Sequence, residues 1–212
     1  MISDSVVFLL RTFRGIISPF RRKTSDSQLT QDSSQNTQGN TTDMASNFTP
    51  PSPKPELLVL DVDWTLWPFH TDMDVSPPFK KDSSGEVRDS RGKAIQPFPD
   101  VPRILDWLKG NGYTLALASR TWAPSDMERL LILLDWNKYF SYKEIYKGTK
   151  TKHFSKFKQN SGVPYNKMLF FDDEDINIHE IGNIGVMCIF VTNGLNWNLL
   201  QKGLEKYAKE RS

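Results

Sequence analysis

Four near-continuous apolar runs punctuate the chain: LLVL (57–60), YTLALA (113–118), KMLFF (167–171) and VMCIFV (186–191). Runs of this length, without strict alternation, read as strands buried on both faces. Stretches with helical spacing lie between them. VPRILDWLK (101–109) is followed by Gly112 as a stop, and Pro124 and Ser125 open a helix carrying Met127, Leu130, Leu131 and Leu134. KHFSKFKQN (152–160) ends before Gly162, the acidic DDEDINI stretch supplies another helix, and a last one falls near 196–210. Strands alternating with helices predict an α/β fold with a doubly wound, Rossmann-like parallel sheet. In such sheets ligands collect at the carboxyl ends of the strands.

The pattern divides the chain into three parts. In residues 1–23, Val6, Leu9, Leu10, Phe13, Ile16, Ile17 and Phe20 recur at helical spacing, with Arg11, Arg14, Arg21 and Arg22 on the other side. This basic amphipathic leader, with a Ser/Thr-rich tract behind it, resembles a mitochondrial transit peptide and equally suits an anchor at a membrane surface. Its charges follow the apolar run, which argues against a secretory signal. Residues 24–55 are Ser, Thr, Gln and Pro with almost nothing to bury, and read as a disordered linker; Met44 within it offers an alternative start. Residues 56–212 read as one domain without internal repeats.

Composition narrows the function. Hydrophobic residues make up 38% of the 212 and charged residues 25%, enough for a packed core. A net charge of only +2 argues against a general nucleic-acid binder, which needs a dense phosphate-neutralising surface. The single cysteine, Cys188, excludes an intrachain disulfide and reads as a core residue inside VMCIFV. A reducing compartment fits, cytoplasmic or, with a cleaved transit peptide, mitochondrial. No apolar stretch reaches the roughly 18 residues needed to cross a bilayer.

Three of the four strands end on groups that a core would reject. LLVL runs into Asp61 and Asp63; YTLALA into Ser119, Arg120 and Thr121; KMLFF into Asp172 and Asp173, with Glu174 next. Buried unpaired, such charges would be costly. Parallel, adjacent strands bring them to one edge. Four carboxylates in one crevice repel one another and call for a cation. Oxygen donors without His or Cys favour Mg²⁺ over Zn²⁺.

The order Asp-x-Asp-x-Thr, then Ser, then Lys, then Asp-Asp resembles the haloacid dehalogenase (HAD) superfamily of aspartyl-phosphate phosphotransferases. Within it, the chain is similar to the magnesium-dependent phosphatase-1 family. The likeness is carried by DVDWTLWPF (61–69), PPFKK and VRDSRG, ASRT (118–121), GTKTKHF (148–154) and FFDDEDINI (170–178), and it spans about residues 56–208. Residues 1–55 match nothing in that pattern.

The resemblance implies Mg²⁺-dependent hydrolysis of phosphate monoesters through an aspartyl phosphate. Asp61 is then the nucleophile. Asp63 protonates the leaving oxygen and afterwards activates water. Ser119 donates to the phosphoryl group, and Lys150 steadies phosphate and nucleophile. Lys150 is preferred to Lys152 because Gly-Thr precedes it. Asp61, Asp172 and the Asp63 carbonyl ligate the metal; Asp173 binds it through water or orients the lysine. Thr65 orients Asp63 or its loop. Trp64, Trp67, Arg120 and Trp122 flank the strand ends, where they line a substrate mouth or pack locally; Trp64 and Arg120 are the candidates for substrate contact. Asn177 is placed to hydrogen-bond back to the acidic loop. His153 reads as a packing residue, and His70 and His179 as surface or structural ones.

Residues 70–99 are too short for a large cap. Turn signals at Ser84–Gly85 and Arg91–Gly92 predict β-hairpins and an open site. An open site admits bulky or protein-borne esters as well as small ones. Relatives act on phosphotyrosine-like substrates and on sugar phosphates, fructosamine phosphates among them, and the residues do not choose between these. Two rival classes share much of this pattern: a receiver-like domain that stores a phosphoryl group, and a silent binding module. Asp63 separates the first, since a second carboxylate speeds phosphate release. The intact set of motif residues weighs against the second.

Overall fold

The computed structural model describes residues 48–212. The leader (1–23) and linker residues 24–47 lie outside the described residues. The sheet has five parallel strands: β1 (Leu57–Leu60), β4 (Leu115–Ser119), β5 (Phe140–Ile145), β6 (Met168–Asp172) and β7 (Met187–Phe190), in the order β5-β4-β1-β6-β7. β1 is central. It pairs with β4 through Leu58↔Leu115 and with β6 through Leu57↔Met168.

Side chains alternate across this sheet, so each strand feeds two apolar layers. Leu58, Leu60, Leu115, Leu117, Leu169 and Phe171 face one core. That core is completed by α1 (Val101–Gly110), α2 (Pro124–Leu133) and α5 (Trp197–Arg211). Leu57, Val59, Ala116, Ala118, Met168 and Phe170 face the other, covered by Phe154 and Phe157 of α3 (Lys150–Ser161) and Ile181 of α4 (Asp175–Asn183). The helices start where their sequences say. Pro stands in the first turn of α1 and α2, the Thr149 side chain caps α3 and the Asn196 side chain caps α5. Among the described residues no helix is long and apolar enough to cross a membrane.

Three details depart from the sequence pattern. The strand β5, FSYKEI, is an edge strand with one buried residue and no continuous apolar run, so the pattern does not reveal it. β7 is also an edge strand: Phe190 is exposed, so this run is not buried on both faces. The packed part begins upstream of residue 56. Phe48 lies against Trp107 with ring centroids 5.4 Å apart, and Pro55 is buried, so residues 48–55 are not linker-like.

The segment between β1 and α1 forms a small antiparallel hairpin, β2 (Lys80–Lys81) with β3 (Val87–Arg88), then a bridge from Arg88 to Ala94. The turns fall at the two predicted glycines. Gly85 and Gly92 both have left-handed φ, 86° and 82°. This is the minimal cap, and it is braced onto the core by Phe79, Val87 and Ile95.

Two glycines allow a comparison. Gly85 has open space around it, so Gly85→Ala meets only the left-handed backbone penalty, about 1 kcal/mol. Gly194 (φ 71°) has the Phe98 ring where a Cβ would stand, so Gly194→Ala adds an overpacking cost of about 1–3 kcal/mol. Urea unfolding should rank the stabilities wild type, Gly85→Ala, Gly194→Ala in descending order. Equal losses for the two variants would contradict this packing.

Candidate active site

The carboxyl ends of β1, β4 and β6 meet at one open cavity of about 450 Å³. Its walls include Asp61, Asp63, Ser119, Arg120, Lys150, Asp173 and Asn177. Asp61 follows β1 directly, and its N–H is held by the Phe171 carbonyl on β6 (2.9 Å). A strand fixed on both sides therefore carries this carboxylate.

Lys150 opens α3, and its side chain runs inward until the ammonium is almost fully buried. There it donates to Asp61 Oδ1, to the Ala118 carbonyl and to Asp172 Oδ2 (3.1 Å). Burial pulls the ammonium towards neutrality, but the two carboxylates outweigh it and raise the Lys150 pKa. Burial raises the Asp61 carboxyl well above the usual range; Lys150 opposes this, while Asp172 and Asp173 push it further up. Lys152 is exposed and lies over the Tyr146 ring instead.

Asp172 is fully buried, and both of its oxygens accept from the protein. Glu174 N–H (2.8 Å) and Asn177 Nδ2 (2.9 Å) donate to Oδ1; Asn177 Nδ2 (3.1 Å) and Lys150 donate to Oδ2. Asn177 thus returns from α4 to the acidic loop. Its own carbonyl accepts from Arg120 Nη1 (3.0 Å), so Arg120 lines the cavity while tied to α4 and to Glu174 (3.5 Å). Ser119 is buried at the end of β4. Its Oγ accepts from Thr121 N–H (3.3 Å), which leaves the hydroxyl proton for a ligand.

Asp63 faces the same cavity. Its Oδ1 accepts from the Trp67 indole (2.7 Å) and from the Thr71 hydroxyl (2.6 Å). Burial raises its pKa, and those two bonds moderate the rise. Thr65, expected beside Asp63 or its loop, donates instead to Asp173 Oδ1 (3.3 Å). Asp173 does not touch the lysine; its pKa is pushed up to about 6 by burial and by Asp172 next door. Trp64, expected at the substrate mouth, has a left-handed φ of 57° and lines a separate hollow with Phe190, Gly194 and Asp173. The mouth is built by Trp122, Met73, Asp72 and His70. Trp122 is 69% exposed, with Lys147 Nζ 2.9 Å from its ring centroid. Trp67 is fully buried and packs rather than lining anything. No signal in the sequence marked Thr71 or Asp72: both sit in a polar loop without periodicity.

The donor set is all oxygen: Asp61 and Asp172 on neighbouring strands, the Asp63 carbonyl and Asp173. Among the described residues no three carboxylate or imidazole groups form a ready-made metal cage. One or two carboxylates that leave room for waters and substrate oxygens suit Mg²⁺ better than Ca²⁺ or Zn²⁺.

Residues 53–210 match the family described as Acid Phosphatase. The chain belongs to this family. It is 45% identical over 158 residues to Magnesium-dependent phosphatase 1 of Homo sapiens, a match covering 74% of this chain and 90% of the human one. That places it in the magnesium-dependent phosphatase-1 branch of the HAD superfamily. It is also 36% identical over 143 residues to a HAD-like hydrolase superfamily protein of Schizosaccharomyces pombe, covering 62% of this chain and 83% of the other. The fold agrees: a HAD-superfamily hydrolase from Ehrlichia chaffeensis, 12% identical, superposes with a TM-score of 0.54 over 73% of this chain and 98% of its own.

His153 supports the site from below. It is buried, stacked on Tyr146 at 4.3 Å, with Nδ1 2.9 Å from the Thr149 carbonyl and Nε2 3.1 Å from the Tyr146 carbonyl. The two carbonyls favour the charged ring, but burial and then Lys150 prevail and lower its pKa from 6.5 to about 4. The unfolded chain therefore binds more protons than the folded one between these values. His153 stabilises fully above pH 6.5, and that contribution, up to about 3 kcal/mol, drains away as pH falls towards 4. Urea midpoints measured across this window should fall more steeply for wild type than for His153→Phe. Parallel slopes would show that His153 does not titrate this way.

Proposed function

We propose that the protein is a Mg²⁺-dependent phosphatase that hydrolyses phosphate monoesters through an aspartyl phosphate on Asp61. One observation carries this reading. Asp61 stands on a rigid strand in an open cavity, held by the buried ammonium of Lys150, with a second carboxylate, Asp63, facing the same space. Phosphate monoesters hydrolyse so slowly that their enzymes supply accelerations of up to about 10²¹. A covalent intermediate divides that barrier into two lower ones.

In the first step an Asp61 oxygen forms a bond to phosphorus while the ester P–O bond breaks. Asp63 gives its proton to the departing oxygen. In the second step Asp63 takes a proton from water as the water oxygen attacks phosphorus, and the bond to Asp61 breaks. Lys150 keeps the nucleophile in place, and the Ser119 hydroxyl donates to a phosphoryl oxygen. Attacker and phosphoryl group are both anionic, and two unit charges 4 Å apart repel by about 4 kcal/mol at an effective dielectric of 20. Asp61, Asp172 and the Asp63 carbonyl, with Asp173 alongside, would hold Mg²⁺, which when bound would supply the opposing charge.

The substrate range follows from the mouth. No hairpin residue lines the cavity, and exposed Trp122 and Met73 flank its entrance. Bulky leaving groups therefore fit, and phosphotyrosine-like and sugar or ketosamine phosphates are the classes proposed. A receiver-like storage role is disfavoured by Asp63, whose place in the cavity suits it to release the phosphoryl group.

The test is phosphate release by the purified full-length chain from p-nitrophenyl phosphate, a phosphotyrosine peptide and a ketosamine phosphate. EDTA should silence it and Mg²⁺ restore it. Asp61→Asn should lower kcat at least about 10³-fold with the fold retained. Asp63→Asn should cost about 10²–10⁴-fold. Activity that survives EDTA or Asp61→Asn would overturn the mechanism.

A further inference from the structure

We propose that Trp67 and Thr71 are positioning residues that aim the Asp63 carboxyl, so that Oδ2 alone carries the transferred proton. The inference rests on the phosphatase reading above. Its basis is that both side chains donate to the same oxygen. Trp67 Nε1 lies 2.7 Å and Thr71 Oγ1 2.6 Å from Asp63 Oδ1. An indole N–H can only donate, so it fixes Oδ1 as an acceptor in every protonation state. The proton of the neutral acid then belongs on Oδ2.

The donors are themselves immobile. Trp67 has no exposed surface, and its ring is stacked between Phe69 at 5.2 Å and Trp136 at 6.0 Å. Thr71 is 1% exposed. The backbone adds a further hold, a bridge between Asp63 and Trp67 that follows the Val62 carbonyl's bonds to Thr65 and Leu66 N–H. A carboxyl otherwise free to rotate about its last bond is thereby held at one angle. An indole and a hydroxyl buried together would also each need an acceptor, and Asp63 serves both. Positioning of this kind removes the need to find the productive angle anew in each step.

A purely structural role and a positioning role differ in what they change. p-Nitrophenolate leaves without needing a proton, whereas an alkoxide needs one. Water attack on the aspartyl phosphate needs the carboxylate for every substrate. In Thr71→Val, a near-isosteric loss of one donor, and Trp67→Phe, which removes the other donor and trims the ring, rapid-mixing experiments with Mg²⁺ should show a p-nitrophenol burst within about threefold of wild type. Steady-state turnover should fall about 10–100-fold, and release from glycerol phosphate should lose its fast first step as well. Thr71→Ser, which keeps the hydroxyl, should restore both. If Trp67→Phe does not fold, the Thr71 pair carries the test alone.

Burst and steady state falling together, or neither changing while Asp61→Asn is inactive, would overturn the positioning role and leave the phosphatase standing. A wild-type chain that releases no phosphate from any of these esters would instead remove the reading beneath it.

Discussion

The buried ammonium of Lys150 organises the described domain. Lys150 reaches the meeting point of three strands, where it answers Asp61, Asp172 and the free carbonyl of Ala118 together. Each of those acceptors would be costly to leave without a partner in a dry interior. Together they constrain where α3 can begin, since its first residue must lie within one lysine's length of β1, β4 and β6. The Thr149 cap and the His153 ring, which bonds back to the Thr149 and Tyr146 carbonyls, fix that starting point.

Around this centre the polar groups divide into two sets. Asp172, Asn177 and Arg120 form one connected chain running from β6 through α4 to the end of β4. Asp63, Trp67 and Thr71 form another, anchored in the apolar core beneath the hairpin. Asp61 stands between a set rich in charge and a set built on neutral donors. The first opens onto solvent through Arg120 and Glu174, while the second is closed off by aromatic rings.

How much of this was legible in the sequence depended on burial. β1 and β6 are buried on both faces, and their apolar runs mark them within one residue. Asp61, Asp63, Ser119, Asp172 and Asp173 stood out because charged or polar groups at the end of an apolar run have no packing explanation. Lys150 needed the preceding Gly-Thr, since a lysine by itself reads as solvated. β5 was not legible: FSYKEI sits at an edge with most of its side chains partly in water, and so has no apolar run. Partnerships were harder than positions. Thr65 and Trp64 lie in a tight turn where the left-handed φ of Trp64 swings neighbouring side chains apart. One therefore meets Asp173 and the other faces a different hollow. Spacing cannot foresee that, nor can it foresee Thr71, which reaches Asp63 only because the loop after Trp67 folds back.

The strand order has a consequence for how the site comes into being. β1 leads directly into Asp61 but hydrogen-bonds only to β4 and β6, never to a strand adjacent in the chain. Each of these contacts closes a long loop, an intrinsically slow kind of event in folding. During synthesis Asp61 emerges well before Lys150 and Asp172, so the nascent chain holds an ordinary hydrated carboxylate and no trapped charge. The reactive centre is thus a product of the last long-range closures, and no shorter piece of the domain can carry it in advance.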